Sequence, residues 1–372
     1  MIILCIYINI KAIKKPNKYI KSHYLFKCEI IIIINLIRFY LYFLCKHTKK
    51  VGIISVRHNV NVGNNLLKYA ISIKLKELGY IPYIIGTRKK SNNSNITFIN
   101  QTTNLVIIQN NFNEIKKDDY DVLMVNSDQT WRRWDKYFYD YGFLKFAEKW
   151  NIKKFIYGAS IGFDTWKLTK KDDIIARKLL QNFTGISVRE EGSIKLVKQH
   201  FKINSTFVLD PTLLIDKKYY LDIIKDYHGK TEMKNKYIFM YTTFQNNKVA
   251  NLSKKAGKIL NYDVYYYQLN NDSLIQDFIY YMVNSNAVIT SSFHGSVFSI
   301  IFNKPFITIY NKLDAKERFN SLGKIFGIHD RLFEKDDKIT FEQLLKPLKI
   351  DYKLLNQLKK KSINFLKENL EK

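Results

Sequence analysis

From Lys50 onward, short apolar runs alternate with segments whose apolar residues recur at helical spacing. Residues 51–56 form the first apolar run, and the apolar residues between Leu66 and Leu78 then repeat every three or four positions until Gly79. Strands that alternate with helices predict a mostly parallel, doubly wound sheet, because two parallel neighbours need a long crossover between them. This alternation predicts an α/β fold.

The alternation forms two consecutive series, which predicts two Rossmann-like domains facing a cleft. Further strands of the first series are predicted at residues 81–85, 105–108, 122–125, 155–157 and 186–188, and its later helices at 170–183 and 190–200. The strands of the second series are predicted at residues 238–241, 264–267, 287–290 and 306–309, and its helices at 248–260, 273–284 and 295–302.

The length of 372 residues also indicates about two domains. We expect an apolar basic extension over residues 1–49, an N-terminal Rossmann-like domain over 50–205, a C-terminal one over 206–340 and a helical tail over 341–372. Hydrophobic residues at 46% and charged residues at 25% exclude a disordered or collagen-like chain.

The net charge of +28 does not by itself indicate a nucleic-acid partner. Lys, Ile, Asn, Tyr and Phe are all abundant together, which is typical of AT-rich coding sequence. The lysines are also scattered along the chain, whereas clustered charge makes an electrostatic footprint. An anionic small substrate, or weak contact with an anionic membrane surface, requires fewer assumptions, so we expect no nucleic-acid partner.

The first fifty residues differ from the rest, with one acidic residue, Glu29, and all three cysteines. The apolar run at residues 30–45 is shorter than the ~20 residues of a spanning helix, and no secretory cleavage site follows it. Three interpretations compete: a monotopic anchor, a poor single span, or translation of an upstream reading frame with the natural start near Lys49. We favour the last, because the α/β pattern begins directly afterwards.

The remainder of the chain has no cysteine, which excludes a disulfide or a thiol nucleophile there and suits a reducing cytoplasm. We therefore expect a cytoplasmic protein, associated with the inner face of the membrane if the extension is an anchor. The sequence has no P-loop, no H-E-x-x-H, no Cys/His cluster and no G-x-S-x-G. No metal and no cofactor are expected.

Polar residues directly after predicted strands are candidates for ligand contact, because open α/β sheets bind ligands beyond the carboxyl ends of their strands. After the first strand, Asn61, Gly63 and Asn64 open a helix whose backbone N–H groups can bind an anion. Asn64 also fits a helix cap, so capping and ligand contact both stay open.

Residues 126–130 are five consecutive polar residues after a predicted strand, and they include Ser127, Asp128 and Gln129. We favour a ligand-binding role for them, and the alternative is an Asx-turn with a helix cap at Ser127 or Asp128. Ser160 lies among small residues after the next strand, where the backbone can approach a ligand or simply form a tight turn.

Two further strand ends carry a charged residue. Arg189 lies at the start of a predicted helix, where the dipole disfavours a cation. An anionic ligand or a buried carboxylate partner would explain it, and we favour the ligand. Asp210 ends a short strand before Pro211, where a simple turn is the alternative to substrate contact.

The strongest pattern is the segment Ser292, Phe293, His294 and Gly295, between an apolar strand and an apolar helix. Hydroxyl, imidazole and glycine meet there at a helix N-terminus, which disfavours a cationic His unless an anion is bound. The arrangement suits a phosphate or carboxylate site, or a general acid or base. A histidine with a purely structural role is the alternative.

Taken in order, these segments resemble the polysaccharide pyruvyl transferase family. The resemblance covers roughly residues 50–330, and its strongest element is Ser-Phe-His-Gly at 292–295. The other matching segments are residues 61–66, 126–129, 157–162, 187–190, 208–212 and 303–306. One departure is Asn64, at a position that is often acidic or small in the family, which puts an acid role for that loop in doubt.

The resemblance implies a fold similar to GT-B glycosyltransferases and transfer of pyruvate from phosphoenolpyruvate to a saccharide acceptor as a cyclic ketal. In that scheme Arg189 and His294 hold the anionic donor, His294 holds the phosphate or transfers the proton, and Asp128 or Asp210 orients or deprotonates the sugar hydroxyl. The predicted catalytic residues are thus His294, Arg189 and Asp128.

Three other functions compete with pyruvyl transfer. A GT-B glycosyltransferase using a nucleotide sugar has the same two-domain architecture and would bind a nucleotide. A non-catalytic saccharide-binding protein would tolerate loss of His294 and Arg189. A nucleic-acid binder would show an affinity that falls steeply with salt.

Overall fold

The computed structural model describes residues 48–55, 61–87, 94–108, 111–132, 137–162, 165–243, 246–270 and 273–371. The chain divides into two units, Met1–Lys49 and Lys50–Lys372. All but two residues of the predicted extension, and residues 56–60 of the first predicted loop, lie outside the described residues. Within the described ranges, no helix is long and apolar enough to cross a membrane.

The first sheet has seven parallel strands in the order β3-β2-β1-β4-β5-β6-β7. Its strands are β1 Lys50–Ile54, β2 Ile81–Thr87, β3 Asn104–Ile108, β4 Val122–Val125, β5 Lys153–Ala159, β6 Gly185–Val188 and β7 Thr206–Phe207. Each predicted strand of the first series is present, and the chain reverses its direction of strand addition between β1 and β4.

The helices of this half are α1 Val62–Glu77, α2 Ser94–Thr102, α3 Phe138–Phe143, α4 Lys170–Leu180, α5 Glu191–Phe201 and α6 Lys217–Asp222. Capping side chains determine where two of these helices begin. Asn61 caps α1 by accepting a hydrogen bond from the Asn64 N–H at 3.1 Å, and Thr169 forms a capping box with Asp172 at the start of α4. Asn61 is therefore the cap of α1, and the capping role considered for Asn64 was wrong.

The second sheet has five parallel strands in the order β12-β11-β10-β8-β9. Its strands are β8 Tyr237–Tyr241, β9 Asp263–Tyr267, β10 Ala287–Thr290, β11 Phe306–Tyr310 and β12 Leu332–Glu334. Its helices are α7 Asn247–Leu260, α8 Ile275–Asn284, α9 Phe293–Ile301 and α10 Lys312–Phe326. Here the direction of strand addition reverses between β8 and β10.

One apolar core runs through both sheets. It joins Phe155 and Tyr157 of β5 to Phe239 of β8 and to Phe298 of α9. Separate cores cover the outer face of each sheet. The continuous core fixes the two halves against each other through apolar burial, the dominant favourable term in folding.

The chain ends in α11, Tyr352–Glu371, which packs on the first sheet. Ser362 Oγ accepts a hydrogen bond from the Leu209 N–H at 2.9 Å, and Thr184 Oγ1 donates to Asn369 Oδ1 at 2.9 Å. The tail was predicted as one or two surface helices, and the structure has one long helix there, exposed on one side and buried on the other. The division at residues 205 and 206 stays a prediction, and β7, just beyond it, belongs to the first sheet.

Candidate functional site

The candidate site forms where the carboxyl ends of both sheets come together, at the strand reversals. The first sheet contributes the start of α1 and the segment after β4, and the second contributes the start of α9 after β10. Gly63 and His294 mark the contact: a Cβ built on Gly63 would lie 2.5 Å from the His294 ring. Glycine is therefore required for α1 to approach the imidazole this closely. Topological reversals of this kind are the usual ligand sites of open α/β sheets.

Asp128 has a strained backbone and is held from several sides. Its φ of 121° lies in the left-handed region that non-glycine residues avoid. The Ser160 N–H donates to its carbonyl at 2.9 Å, and Asn64 Nδ2 donates to its carboxylate at 2.7 Å. Burial would raise the pKa of Asp128, but Arg189, His294 and Asn64 together hold it below its ordinary value.

Asp128 is also the carboxylate of the site that a ligand can reach. Its side chain is 19% exposed, against 2% for Asp210 and 3% for Glu190. No described helix begins directly after Asp128, so the alternative of a helix cap there receives no support. The carboxylate stands ionised at the edge of the site.

Arg189 lies in the centre of three carboxylates. Its guanidinium donates to Asp210 at 2.9 Å, to Asp128 at 3.3 Å and to Glu190 at 3.3 Å, and its side chain is 1% exposed. These partners raise the pKa of Arg189 despite its burial. Of the two explanations that the sequence left open, the structure provides the buried carboxylate partner. Its role toward an anionic ligand stays a prediction.

Asp210 links Arg189 to the second sheet. Thr212 donates to its Oδ1 through both backbone N–H, at 3.0 Å, and hydroxyl, at 2.7 Å. His294 Nε2 lies 3.6 Å from Asp210 Oδ2, an ion-pair distance longer than a hydrogen bond. Burial would raise the pKa of Asp210, but His294, Arg189 and Thr212 hold it well below its ordinary range.

His294 is buried in the first turn of α9, and its Nε2 makes no hydrogen bond within the described residues. Ser292 caps this helix by accepting from the Gly295 N–H at 3.3 Å, and Gly295 packs directly on Thr290. The helix therefore begins at Phe293, two residues earlier than predicted, which fixes the imidazole at the helix start. A buried donor or acceptor of this kind is usually satisfied by a ligand or water.

Other buried polar atoms near these strand ends also make no hydrogen bond within the described chain. They are Asn64 Oδ1, Asn126 Nδ2 and Ser127 Oγ. All belong to segments that follow β1 and β4 at the reversal of the first sheet. Because unsatisfied buried groups destabilise a fold, their concentration here marks a place for ligand contact.

The site contains a second arginine, Arg318, that the sequence analysis did not predict. Arg318 of α10 lies with its Cζ 5.9 Å from the centre of the Phe293 ring, which Arg189 also approaches at 4.9 Å. With the Gln129 amide placed so that its oxygen faces the guanidinium, that oxygen accepts from Arg318 at 2.7 and 2.9 Å. Burial and Arg189 lower the pKa of Arg318 to about 10. Phe293 and Gln129, both predicted, thus position Arg318.

Lys68 was also missed. It is fully buried on α1, one turn after Asn64, and the charge that acts on it is that of Asp128. Burial lowers the pKa of Lys68 to about 7. The available signal was a lysine four residues after Asn64 on a helix that is otherwise buried over residues 62–72.

Ser160 is the remaining predicted contact. Its Oγ accepts from the Gly162 N–H at 3.2 Å and also bonds the Glu190 carboxyl, whose pKa burial raises. Ser160 therefore holds the loop after β5 and one carboxylate of the Arg189 cluster. The described residues contain no group of three His, Cys, Asp or Glu side chains placed to bind a metal ion.

Among the comparisons with known proteins, a family model shows the family of the chain and solved structures show its fold. The family model described as polysaccharide pyruvyl transferase matches residues 61–312. Among curated proteins, none matches the chain.

Two solved structures have a TM-score of 0.51 to this chain. UDP-GlcNAc 2-epimerase from Neisseria meningitidis, bound to UDP-GlcNAc, is 11% identical, with 86% of this chain and 100% of that one covered. UDP-GlcNAc 2-epimerase from Methanocaldococcus jannaschii is 12% identical, with 80% and 90% covered. A glycosyltransferase from Rickettsia africae ESF-5 has a TM-score of 0.45 at 12% identity, with 87% and 94% covered. The predicted fold class, two Rossmann-like α/β domains facing a cleft, similar to GT-B glycosyltransferases, is confirmed.

Proposed function

The chain belongs to the polysaccharide pyruvyl transferase family, and we propose that it transfers pyruvate from phosphoenolpyruvate to a sugar of a cell-surface polysaccharide precursor as a cyclic ketal. The observation that carries the proposal is the buried cluster of His294, Asp210, Arg189 and Asp128 where the two sheets meet. It combines an unbonded imidazole nitrogen with an ionised, ligand-accessible carboxylate. Those are the groups that a proton-dependent transfer to a hydroxyl needs.

The donor is a small anion with a phosphate and a carboxylate. Two arginines flank Gln129 and support donor binding here: Arg318 donates to the amide oxygen, and Arg132 lies on the other side of the amide. Guanidinium groups bind phosphate and carboxylate oxygens in bidentate geometry. Arg189 pairs with the carboxylates of Glu190 and Asp210, so these carboxylates do not compete with the donor for the other arginines.

The reaction divides into balanced steps. A proton is added to the methylene carbon of phosphoenolpyruvate, and one sugar hydroxyl attacks the resulting cationic carbon with loss of its own proton. The bond from that carbon to the phosphate oxygen then breaks, and a second hydroxyl attacks to close the ketal. Over the reaction, one hydroxyl proton ends on the methyl group and the other on the departing phosphate.

His294 and Asp128 fit complementary roles in these steps. His294 Nε2, held 3.6 Å from Asp210, supplies the proton or binds the leaving phosphate. Asp128 is ionised and partly exposed, so it accepts the proton of the attacking hydroxyl. We place the reaction in the cytoplasm, on an acceptor that is free or lipid-linked, without a metal or another cofactor.

The test begins with ligand binding. Protein starting near Lys49 is titrated with phosphoenolpyruvate, inorganic phosphate and several nucleotide sugars while its melting temperature is measured, since a ligand of the folded state raises it. A shift with phosphoenolpyruvate that phosphate does not reproduce supports the donor. A shift with one nucleotide sugar alone would replace pyruvyl transfer by glycosyl transfer as the favoured activity.

The second stage measures the reaction. Release of phosphate from phosphoenolpyruvate is followed with a panel of saccharide acceptors, and the products are examined for the added methyl group of a ketal. Phosphate release that requires an acceptor, and that His294→Gln removes, is the expected result. Binding of phosphoenolpyruvate with no acceptor-dependent release for any saccharide tested would leave a saccharide-binding role instead.

A further inference from the structure

The first turn of α5, in the first half of the molecule, is bonded by a helix of the second half. The first backbone N–H groups of a helix have no partner within it, and the side chain of Glu190, directly before α5, caps none of them within the described residues. Instead, the Glu191 N–H donates to Ser321 Oγ and the Gly192 N–H donates to Glu317 Oε1, each at 3.0 Å. Because Ser321 and Glu317 belong to α10, that helix caps α5.

The contact between α10 and α5 is close. A Cβ built on Gly192 would lie 2.3 Å from Glu317 Oε1, so a larger residue there would displace the carboxylate. A carboxylate beside a helix N-terminus is also stabilised by the helix dipole. Lys324 pairs with Glu191 at the exposed edge of the contact, where the two side chains are 71% and 42% exposed. Glu317, Ser321 and Lys324 are spaced by four and three residues and therefore share one face of α10.

The same turn of α10 places a guanidinium in the candidate site. Arg318 directly follows Glu317, and its Cζ lies 5.9 Å from the centre of the Phe293 ring. With the Gln129 amide oriented as above, its oxygen accepts from Arg318 at 2.7 and 2.9 Å. Gln129 follows β4 of the first sheet, whereas Phe293 begins α9 of the second half. One turn of α10 thus both caps α5 and holds Arg318 across the site.

We propose that Glu317 and Ser321 are positioning residues of the donor site, because they fix α10 on α5 and thereby hold Arg318 where the anionic donor binds. The inference rests on the proposed function in naming phosphoenolpyruvate as that donor. Both residues act through Arg318 and not by touching the donor. Charge alone predicts the opposite effect for Glu317, since a negative charge one residue from Arg318 weakens the binding of an anion.

Two substitutions of Glu317 separate its hydrogen bond from its charge. Glu317→Gln removes the charge and keeps an oxygen for the Gly192 N–H, whereas Glu317→Ala removes both. Calorimetric titration of the whole protein with phosphoenolpyruvate, and in parallel with inorganic phosphate, measures the dissociation constants at neutral pH. For phosphoenolpyruvate we expect binding on the order of tenfold weaker in Glu317→Ala, and equal to wild type or tighter in Glu317→Gln.

The matched control is Lys324→Met, which removes an exposed ion pair from the same contact between α10 and α5. Because exposed ion pairs contribute little, its dissociation constant should stay within about twofold of wild type. Ser321→Ala removes a single neutral acceptor, and its loss should be up to roughly fivefold. A loss in Lys324→Met as large as that in Glu317→Ala would overturn the inference.

Three measurements connect the effect to Arg318. Arg318→Met should weaken binding by roughly 10²-fold, and Glu317→Ala should add no further loss in that background. Gly192→Ala keeps every charge and displaces the carboxylate, so it should weaken binding about as much as Glu317→Ala and replaces that variant if it does not fold. In the acceptor-dependent reaction, Glu317→Ala should raise the KM for phosphoenolpyruvate with kcat nearly unchanged.

The other outcomes separate the two proposals. Binding of phosphoenolpyruvate that is unchanged in Glu317→Ala and in Gly192→Ala overturns the inference and leaves pyruvyl transfer standing. Equal losses in Glu317→Ala and Glu317→Gln, or losses that add to that of Arg318→Met, also overturn it. Binding of inorganic phosphate alone, with the same order among the variants, supports the inference and removes pyruvyl transfer. Absence of binding by either anion overturns both.

Discussion

Arg189 and His294 occupy equivalent places in the two sheets, each just after a strand and close to the start of the following helix. Arg189 has three carboxylate partners and is almost fully buried, so all its charge is matched within the protein. His294 faces one of the same carboxylates at 3.6 Å, and its Nε2 makes no hydrogen bond within the described residues. Arg189 and His294, which were predicted to hold the same ligand, thus differ greatly in how far other groups of the protein pair with them.

This difference in pairing indicates that one residue has a structural role in the site and the other a chemical role. A matched, buried ion cluster is strongly destabilised when one partner is removed, because unpaired charges stay behind. An imidazole with one nitrogen that makes no hydrogen bond contributes less to stability, and that nitrogen is available for a proton or an anion. We therefore expect Arg189 to hold the site together and His294 to act within it.

The largest effect should come from Arg189→Met. The substitution removes the cation shared by the buried Asp210 and Glu190 and the partly exposed Asp128, and the free energy of unfolding should fall by about 3–5 kcal/mol. Urea unfolding at neutral pH measures it. Arg177→Met is the control, since Arg177 donates to the His200 carbonyl and its loss should be about 1 kcal/mol. Equal losses in the two variants would contradict the structural role.

His294→Gln should lower the reaction rate strongly and the stability only slightly. We expect acceptor-dependent phosphate release to fall by about 10²–10⁴-fold, with a change in the free energy of unfolding of no more than about 1 kcal/mol. A loss confined to kcat indicates proton transfer, and a loss confined to KM indicates phosphate binding. His200→Gln, outside the cluster and paired with Asp173 at 3.0 Å, should leave the rate unchanged.

Gly63→Ala tests whether the position of the imidazole matters. The added Cβ would lie 2.5 Å from His294, so the ring must move, and misplacement of a catalytic group lowers the rate by roughly tenfold or more. The free energy of unfolding should fall by about 1–3 kcal/mol from overpacking. In a His294→Ala background the same change should cost little further rate, and additive losses would refute the coupling.

The smallest effect is the acid dependence of stability. Since the pKa values of Asp128 and Asp210 are lowered on folding, their stabilisation is complete above the unfolded value of about 3.9 and is lost as pH falls toward the folded values. Each carboxylate contributes a slope of up to about 1.4 kcal/mol per pH unit in that range. Urea unfolding of wild type and Arg189→Met measures it, and an equally steep acid slope in the variant would contradict the assignment.

Much of the fold was predictable because buried parallel strands are apolar along their whole length. β4 and β10 match their predicted bounds, and β1, β8 and β11 differ by no more than two residues. Two polar helices, α2 and α10, were not predicted. They carry too few periodic apolar residues to be recognised without the sheets that they cover. Lys154 on β5 also shortened the predicted strand, because a lysine can be buried when carbonyl groups accept its hydrogens.

The site was predictable where a residue lies within the first few positions after a strand. Asp128, Arg189, Asp210 and His294 all follow this rule, and all four belong to one cluster. Arg318 does not follow it, because its place depends on how α10 packs across the site. For Arg189 the sequence could not choose between a ligand and a buried carboxylate, since Asp210 lies 21 residues away and reaches it only through tertiary folding.

The packing of α11 has a consequence for the making of the protein. This helix covers β5 through Phe365 on Tyr157 and binds the Leu209 backbone through Ser362, yet it is synthesised long after that strand. At a translation rate of about 5–20 residues per second, the apolar side of β5 stays without α11 for roughly ten to forty seconds. The first sheet is therefore covered only after the second sheet has been synthesised, and during that interval chaperones have access to it.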